Sequence, residues 1–431
     1  MSSGLEDALG SMRRVAWTAL AVAFSLPARA SEWTQFAGPF RNFTSSVTGL
    51  LAEWPASGPP ELWARDLGEG YSGVVADGPA VYTMYRKEPR EVVVALDAAT
   101  GKTLWEHAYD APIDSSLKME NGPGPHATPV VVGEQVCTAG ILARLICFDK
   151  KSGRVNWSRD LYKDFPNSSR MGRGYSCNPL PYRGTLILTL GGEGSAVVSL
   201  RQQDGTLVWG SLDHANAPSS PLLINAFGQE QVVVFLNERG SGPVGLIVGV
   251  DPGNGKRLWE HPHKTDWGLN ISLPVWGADN LLFLSSAYGG GSRMLELRKQ
   301  GASTEVKELW SSRRMRVHHT SIVRIGDTLY ASSGDFGPAP LTAVSARSGE
   351  VLWQDRAFSK ANFVSADGKL IVLDEDGNLA LARVSPERLS VVSRTQLLAR
   401  NAWTAPSLAG TRLYIRDRRK VMALELAATS R

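Results

Sequence analysis

The chain of 431 residues carries 46 Lys and Arg against 42 Asp and Glu, a net charge of +4, and is 43% hydrophobic with 43 Gly, 13 Trp and only 3 Cys. These figures describe a globular protein with ample chain for a core; they exclude a collagen-like repeat, a disulfide-stapled mini-domain, disorder and a multi-span membrane protein. The charge surplus is small and mixed, so no nucleic-acid partner is implied.

In chain order, Met12-Arg13-Arg14 is a positive start, Val15 to Leu26 is apolar, and Ala28-Arg29-Ala30 before Ser31 fits a small-residue cleavage site. Residues 1–30 are therefore expected to be a signal peptide, with Met12 as an alternative start to Met1 because Glu6 and Asp7 are unusual in a leader. No later segment reaches the roughly 18–20 apolar residues of a membrane-spanning helix. The expected product is residues 31–431, a single domain without a transmembrane segment, periplasmic or secreted. No Cys follows Ala30 to accept a lipid.

From residue 61 onward a repeat organises the chain. Trp recurs in ALDAATGKTLW (Trp105), CFDKKSGRVNW (Trp157), SLRQQDGTLVW (Trp209), GVDPGNGKRLW (Trp259) and AVSARSGEVLW (Trp353), each with Gly four residues earlier. Trp63 and Trp310 keep the strand and lose the glycine turn, and Arg394 holds the eighth place. The period is roughly 40 to 50 residues, the range of a propeller blade. An apolar strand ends near the Asp, a polar-Gly pair supplies a positive-φ turn, and the Trp opens the next strand. Ahead of each motif lies a hairpin of alternating apolar residues with Gly-Asp, Asp-Gly or Arg-Gly at its turn. Eight four-stranded units predict an all-β, eight-bladed β-propeller. The last unit, Trp403 to Leu426, lacks a closing motif strand, and ELWARDL around Trp63 lacks a hairpin before it. The N-terminal strand is therefore expected to complete the C-terminal blade, removing two sheet edges at once. Cys137 and Cys147 flank a hairpin and are either a cross-strand disulfide or two unbonded strand residues; Cys177 has no evident partner.

The A-x-D-x-x-T-G-x-x-x-W motif resembles that of the pyrroloquinoline-quinone-type propellers. WTQFAGPFRNFTS, GEGYSGVVADGPAVYTM, HKTDWGLN and NAWTAPSLAGTRLYIRD are similar to segments of exported bacterial members of that group. The resemblance covers nearly all of residues 31–431. It implies docking roles for Trp63, Trp105, Trp157, Trp209, Trp259, Trp310 and Trp353. Functions in the group are mixed: quinone-dependent alcohol dehydrogenases, a lipoprotein of outer-membrane β-barrel assembly, and members without known activity. Fold alone does not choose among them.

A propeller's innermost strands line its channel, and ligand sites lie at a mouth. Aligned on those strands, His126, Tyr175, Asn178, Asn270, His318, His319 and Trp403 fall at or just before them, with Tyr71, Ser72, Ser176, Ser219, Ser220, Ser272, Ser321 and Thr404. Arg316, with Arg170, Arg173, Arg313 and Arg314, lies in the preceding loops. Together they form a candidate mouth for a small anionic ligand. The dehydrogenases of the group use a Ca²⁺, an Asp base and a disulfide of adjacent cysteines; this sequence has no adjacent pair and no C-x-x-C-H haem site. No metal ligand is assigned. Gly68 to Gly73 matches a dinucleotide motif but precedes a strand, not a helix. Asp374 to Asn378 and Arg416 to Lys420 read as charged hairpin tips. The expected function is a non-catalytic ligand- or protein-binding module partnered by an envelope protein or a small anion. The alternative is a quinone- and Ca²⁺-dependent alcohol or sugar dehydrogenase. The long loops Ala111 to Pro125 and Tyr162 to Gly174 are candidate recognition surfaces.

Overall fold

The computed structural model describes residues 32–240, 245–301, 303–337 and 339–428. The expected leader and its expected cleavage site lie outside them. Eight separate antiparallel sheets follow one another along the chain. Blades 1 to 7 occupy 75–110, 130–160, 180–211, 215–262, 275–312, 322–355 and 361–396. Blade 8 combines Ser407–Ala409, Arg412–Arg416 and Lys420–Glu425 with the N-terminal strand Glu61–Asp66. Trp63 pairs with Ala423 in that closing ladder, as the unpaired ELWARDL strand predicts. The fold is an eight-bladed β-propeller, and the one helix among the described residues is the four-residue Leu161–Asp164.

Five of the eight blade seams are packed through the Trp motif. A methyl group on Gly101 would come within 2.6 Å of the Trp63 ring, and Gly153, Gly205, Gly255 and Gly349 meet Trp105, Trp157, Trp209 and Trp310 in the same way. Three residues before each of these glycines a carbonyl accepts the indole N–H: Ala98 for Trp63 (3.1 Å), Lys150 for Trp105 (3.0 Å), Gln202 for Trp157 (2.8 Å), Pro252 for Trp209 (3.1 Å) and Ala346 for Trp310 (2.9 Å). The glycine four residues before a Trp thus serves the preceding blade's Trp rather than its own. Asp97 builds one such turn by accepting from the backbone N–H groups of Ala99 and Thr100. Blade 5 replaces the turn with a long hairpin, Gly291–Gln300 and Ser303–Ser312. Trp259 accordingly finds no turn carbonyl and donates to Gln231 Oε1 at 2.6 Å. Trp353 donates to Ser385 O.

Two local features depart from the regular pattern. Blade 4 has a split inner edge, with Ala215–Asn216 and Leu222–Ala226 both pairing with Gln229–Asn237. Pro218 and Pro221 lie in the gap and have no N–H for a ladder. In blade 2, Cys137 and Cys147 face each other across adjacent strands and form a disulfide, while Cys177 is buried and free.

The segment from Trp33 to Leu51 runs along one end of the ring. It exchanges hydrogen bonds with Ala76 of blade 1, accepts from Val131 N of blade 2, donates from Arg41 to Pro221 O of blade 4, pairs with Ser365 of blade 7 and reaches Leu426 behind blade 8. Ala76, Val131 and Ser365 lie toward the C-terminal ends of inner strands, Pro221 just precedes one, and blades 1, 4 and 7 lie on different sides of the axis. The segment is therefore a strap across the lower mouth of the channel, with Ala37 and Phe43 buried in the core of blades 4 to 7.

Candidate functional site

Within the channel wall, small polar side chains stitch neighbouring inner strands together. Thr128 Oγ1 accepts from Gly73 N, Asn178 Oδ1 accepts from Thr128 N, and Asn178 Nδ2 donates to Ser220 Oγ. Ser219 donates to Ser272 O, Asn362 Oδ1 accepts from Ser321 N while its amide donates to Trp403 O, and Thr404 donates to Tyr71 O. Asn178 and the serines expected at the channel thus act as inter-blade fasteners.

Above this belt, at the mouth opposite the strap, aromatic rings form a continuous arc. His126 stacks on Tyr71 (5.9 Å between centroids), Tyr71 on Trp403 (5.4 Å), and Trp403 meets His319 (5.2 Å). His319 touches His318 (4.8 Å), whose Nε2 hydrogen-bonds the Tyr288 hydroxyl at 3.0 Å; Tyr288 in turn meets Trp267 and Phe336. Glu375 accepts from the Trp403 indole (3.0 Å), and Lys360 donates to Asp335 O (3.2 Å). The fold therefore brings His126, His318, His319 and Trp403 together. Arg316 lies exposed at the rim, 3.4 Å from Asp335. Asn270 is buried and accepts from Ser286 Oγ, which also bonds His263. Tyr175 is not at the mouth: it lies in the loop before Leu180–Tyr182, its N–H donates to Ile141 O of blade 2, and its side chain fills the core of blades 2 and 3 and donates to Thr189 O. Tyr288, Trp267, Phe336 and Lys360 complete the mouth without having been singled out from the sequence, together with Glu375, which the sequence placed on the Asp374 to Asn378 hairpin tip. Trp267 lay within the HKTDWGLN segment, while Tyr288 and Phe336 sit in hairpin loops that carry no motif.

Burial sets the charge state here. It lowers His126 to about 4 and His318 to about 3 and holds His319 well below its ordinary value, with the neighbouring Lys360 adding to the last two shifts. The imidazoles are uncharged at neutral pH, so the expected positive mouth is narrower than the count of basic residues implies. Burial also lowers Lys360. Arg173 faces Glu120, and Arg170 lies over the Tyr162 ring.

The stacked pair of Tyr71 and Trp403 leaves no slot for the flat quinone used by the dehydrogenases of the group. Among the described residues no group of three or more His, Cys, Asp or Glu is placed to hold a metal ion. The one disulfide lies inside blade 2, away from the mouth. A flat ligand sandwiched between two rings needs them roughly 7 to 8 Å apart, at 3.5 to 4 Å per contact. Tyr71 and Trp403, at 5.4 Å, already stack on each other.

At the seam of blades 8 and 1, Arg416 is fully buried rather than part of an exposed hairpin tip. Its guanidinium donates to Ser72 O, Thr83 Oγ1 and Met84 O. Nearby, a groove of about 620 Å³ runs between residues 396–401 and 417–420, its charges compensated by Glu69 pairing with Arg418 and Arg419.

Eight four-stranded blades, a glycine-docked Trp at most seams and closure by the first strand define a propeller of the pyrroloquinoline-quinone-like class. The family model described as "Outer membrane protein assembly factor BamB" matches residues 89–355, and the chain belongs to that family. It is similar to the assembly factor BamB of Shewanella oneidensis, 22% identical over 319 residues covering 70% of this chain and 75% of that one. The BamB of Yersinia pestis is also 22% identical, over 68% of this chain and 72% of that one. Among solved structures, BamB from Moraxella catarrhalis superposes with a TM-score of 0.59 at 14% identity over 85% of this chain and 100% of that one. A europium-containing methanol dehydrogenase superposes with a TM-score of 0.67 at 11% identity over 90% of each chain. At such identities the structural likeness speaks to the fold.

Proposed function

We propose that the protein is a non-catalytic binding module of the bacterial cell envelope, exported by its leader, which holds a protein partner on the loop-bearing face of the ring. The packed mouth carries this reading: the rings that would enclose a cofactor stack on one another and carry no charge at neutral pH. Family membership supports a role beside relatives named as outer membrane protein assembly factors. The face opposite the strap bears the long loops 111–125 and 162–174, and loops on a rigid ring suit recognition. No helix among the described residues is long and apolar enough to cross a membrane. Affinity capture from an envelope extract, with the full chain as bait, should recover outer-membrane assembly proteins. Titration with pyrroloquinoline quinone and Ca²⁺, followed by a dye-linked alcohol assay, should show neither uptake nor turnover. Turnover in that assay overturns the reading.

A further inference from the structure

Trp267 and Phe336 are the two most exposed large apolar side chains among the described residues, at 60% and 73%. They come from different loops, one between blades 4 and 5 and the other within blade 6, yet their rings lie 6.2 Å apart. Tyr288 sits beneath both, 4.8 Å from Trp267 and 5.2 Å from Phe336, and its hydroxyl is held by His318. The cluster is thus a supported platform rather than two stray side chains. Scattered exposed apolar residues need no explanation, but aromatic rings gathered in one place mark interaction sites.

The charges around the platform are one-sided. Lys264, Arg313 and Arg314 are exposed and form no ion pair with a carboxylate among the described residues, and Arg313 lies against Gly291 of the hairpin that carries Tyr288. Arg316 meets Asp335 only at 3.4 Å with its side chain 45% exposed. Against these four cations the same segments offer Asp266 and Asp335. An aromatic anchor beside loops that carry the unpaired Arg313 and Arg314 has the composition of an interface centre, where Trp, Tyr and Arg supply most of the binding energy.

From this juxtaposition we infer that the rim of blades 4 to 6, centred on Trp267 and Phe336, docks an acidic protein segment bearing exposed apolar side chains. The inference rests on the binding-module reading and deepens it. Apolar groups of the partner cover the two rings, and its carboxylates reach Arg313, Arg314 and Lys264, which sets orientation and speeds encounter.

The test uses the full chain and two synthetic twelve-residue peptides, each with two Phe, one Glu-rich and the other Lys-rich, read by calorimetry. The Glu-rich peptide should bind, with affinity falling as salt rises. Binding should weaken about 10-fold or more in W267S/F336S and in R313E/R314E. Both variants change exposed side chains, and an unchanged melting temperature establishes their fold. Equal binding of the Lys-rich peptide, no binding of the Glu-rich one, or unaltered affinity in both variants overturns the inference. So does a preference for anionic lipid vesicles over the peptide. A photo-crosslinker at position 267, with a second at position 227 on a blade 4 turn, separates the inference from the broader reading. Crosslinks to envelope proteins at 267 and not at 227 support it. Partners captured by the chain but crosslinked only elsewhere overturn the rim while leaving the module reading intact; no partner captured by any route overturns the module reading itself.

Discussion

Gly153 approaches Trp105 of the preceding blade so closely that a Cβ atom would lie 2.5 Å from the indole, at a φ of +69°. The same turn offers Lys150 O to the indole N–H. The four residues Lys150 to Gly153 therefore supply a left-handed residue, a flat landing site and an acceptor, an arrangement repeated at Gly101, Gly205, Gly255 and Gly349. Gly153→Ala should cost about 1–3 kcal/mol from backbone strain alone and more from the displaced ring. Gly184→Ala, at φ +80° with nothing within 4 Å, carries only the strain. Thermal unfolding of the two variants should show the larger loss at Gly153; equal losses would mean that the indole contact contributes nothing.

Where the turn is missing, Gln231 substitutes for it. Gln231→Ala leaves the buried Trp259 N–H without an acceptor, at a cost of about 1–3 kcal/mol. Denaturation of the single variants and of Q231A/W259F should show non-additivity, since the double variant no longer has an N–H to satisfy.

The eighth seam depends on Arg416. Arg416→Met strands the carbonyls of Ser72 and Met84 without their donor, and Arg416→Lys cannot reproduce the planar fork. Both should destabilise by about 2–3 kcal/mol or more. Chemical denaturation would check this, and a neutral Arg416→Met would show that the seam holds without it.

Acidification should weaken the fold through the mouth. His126 and His318 have folded values of about 4 and about 3, below the ordinary 6.5. Between those limits the unfolded chain binds protons that the folded one does not. Their contribution is intact above about pH 6.5 and is lost as pH falls toward 4. Melting temperature followed from pH 7 to pH 4 should fall, and less steeply in His126→Gln.

Much of this architecture could be read from residue order because its causes are local. A polar-Gly turn, a following Trp and a hairpin of alternating apolar residues are all adjacent in sequence, and counting them yields eight blades and the strand left over for closure. The mouth was legible in part, through His126, His318, His319 and Trp403, which sit at one register of the inner strands. Tyr288, Trp267 and Phe336 were not, since they meet only after loops of blades 4, 5 and 6 converge. Arg416 misled for a related reason: beside Asp417, Arg418 and Arg419 it reads as solvated, and only the neighbouring blade's carbonyls make its burial tolerable. Tyr175 shows the opposite error, a residue at the right register whose side chain turns into the sheet interface.

The strap and the closing strand bind the beginning of the chain to its end. Parts of the strap find partners early, at Ala76 and Val131, but Glu61–Asp66 has no ladder until residues 420–425 have been made, and Leu50 has none until Ala427. Contacts of such sequence separation form slowly. The eighth blade is thus the one sheet whose strands come from both ends of the described chain, and the ring cannot close before residues 420–425 exist.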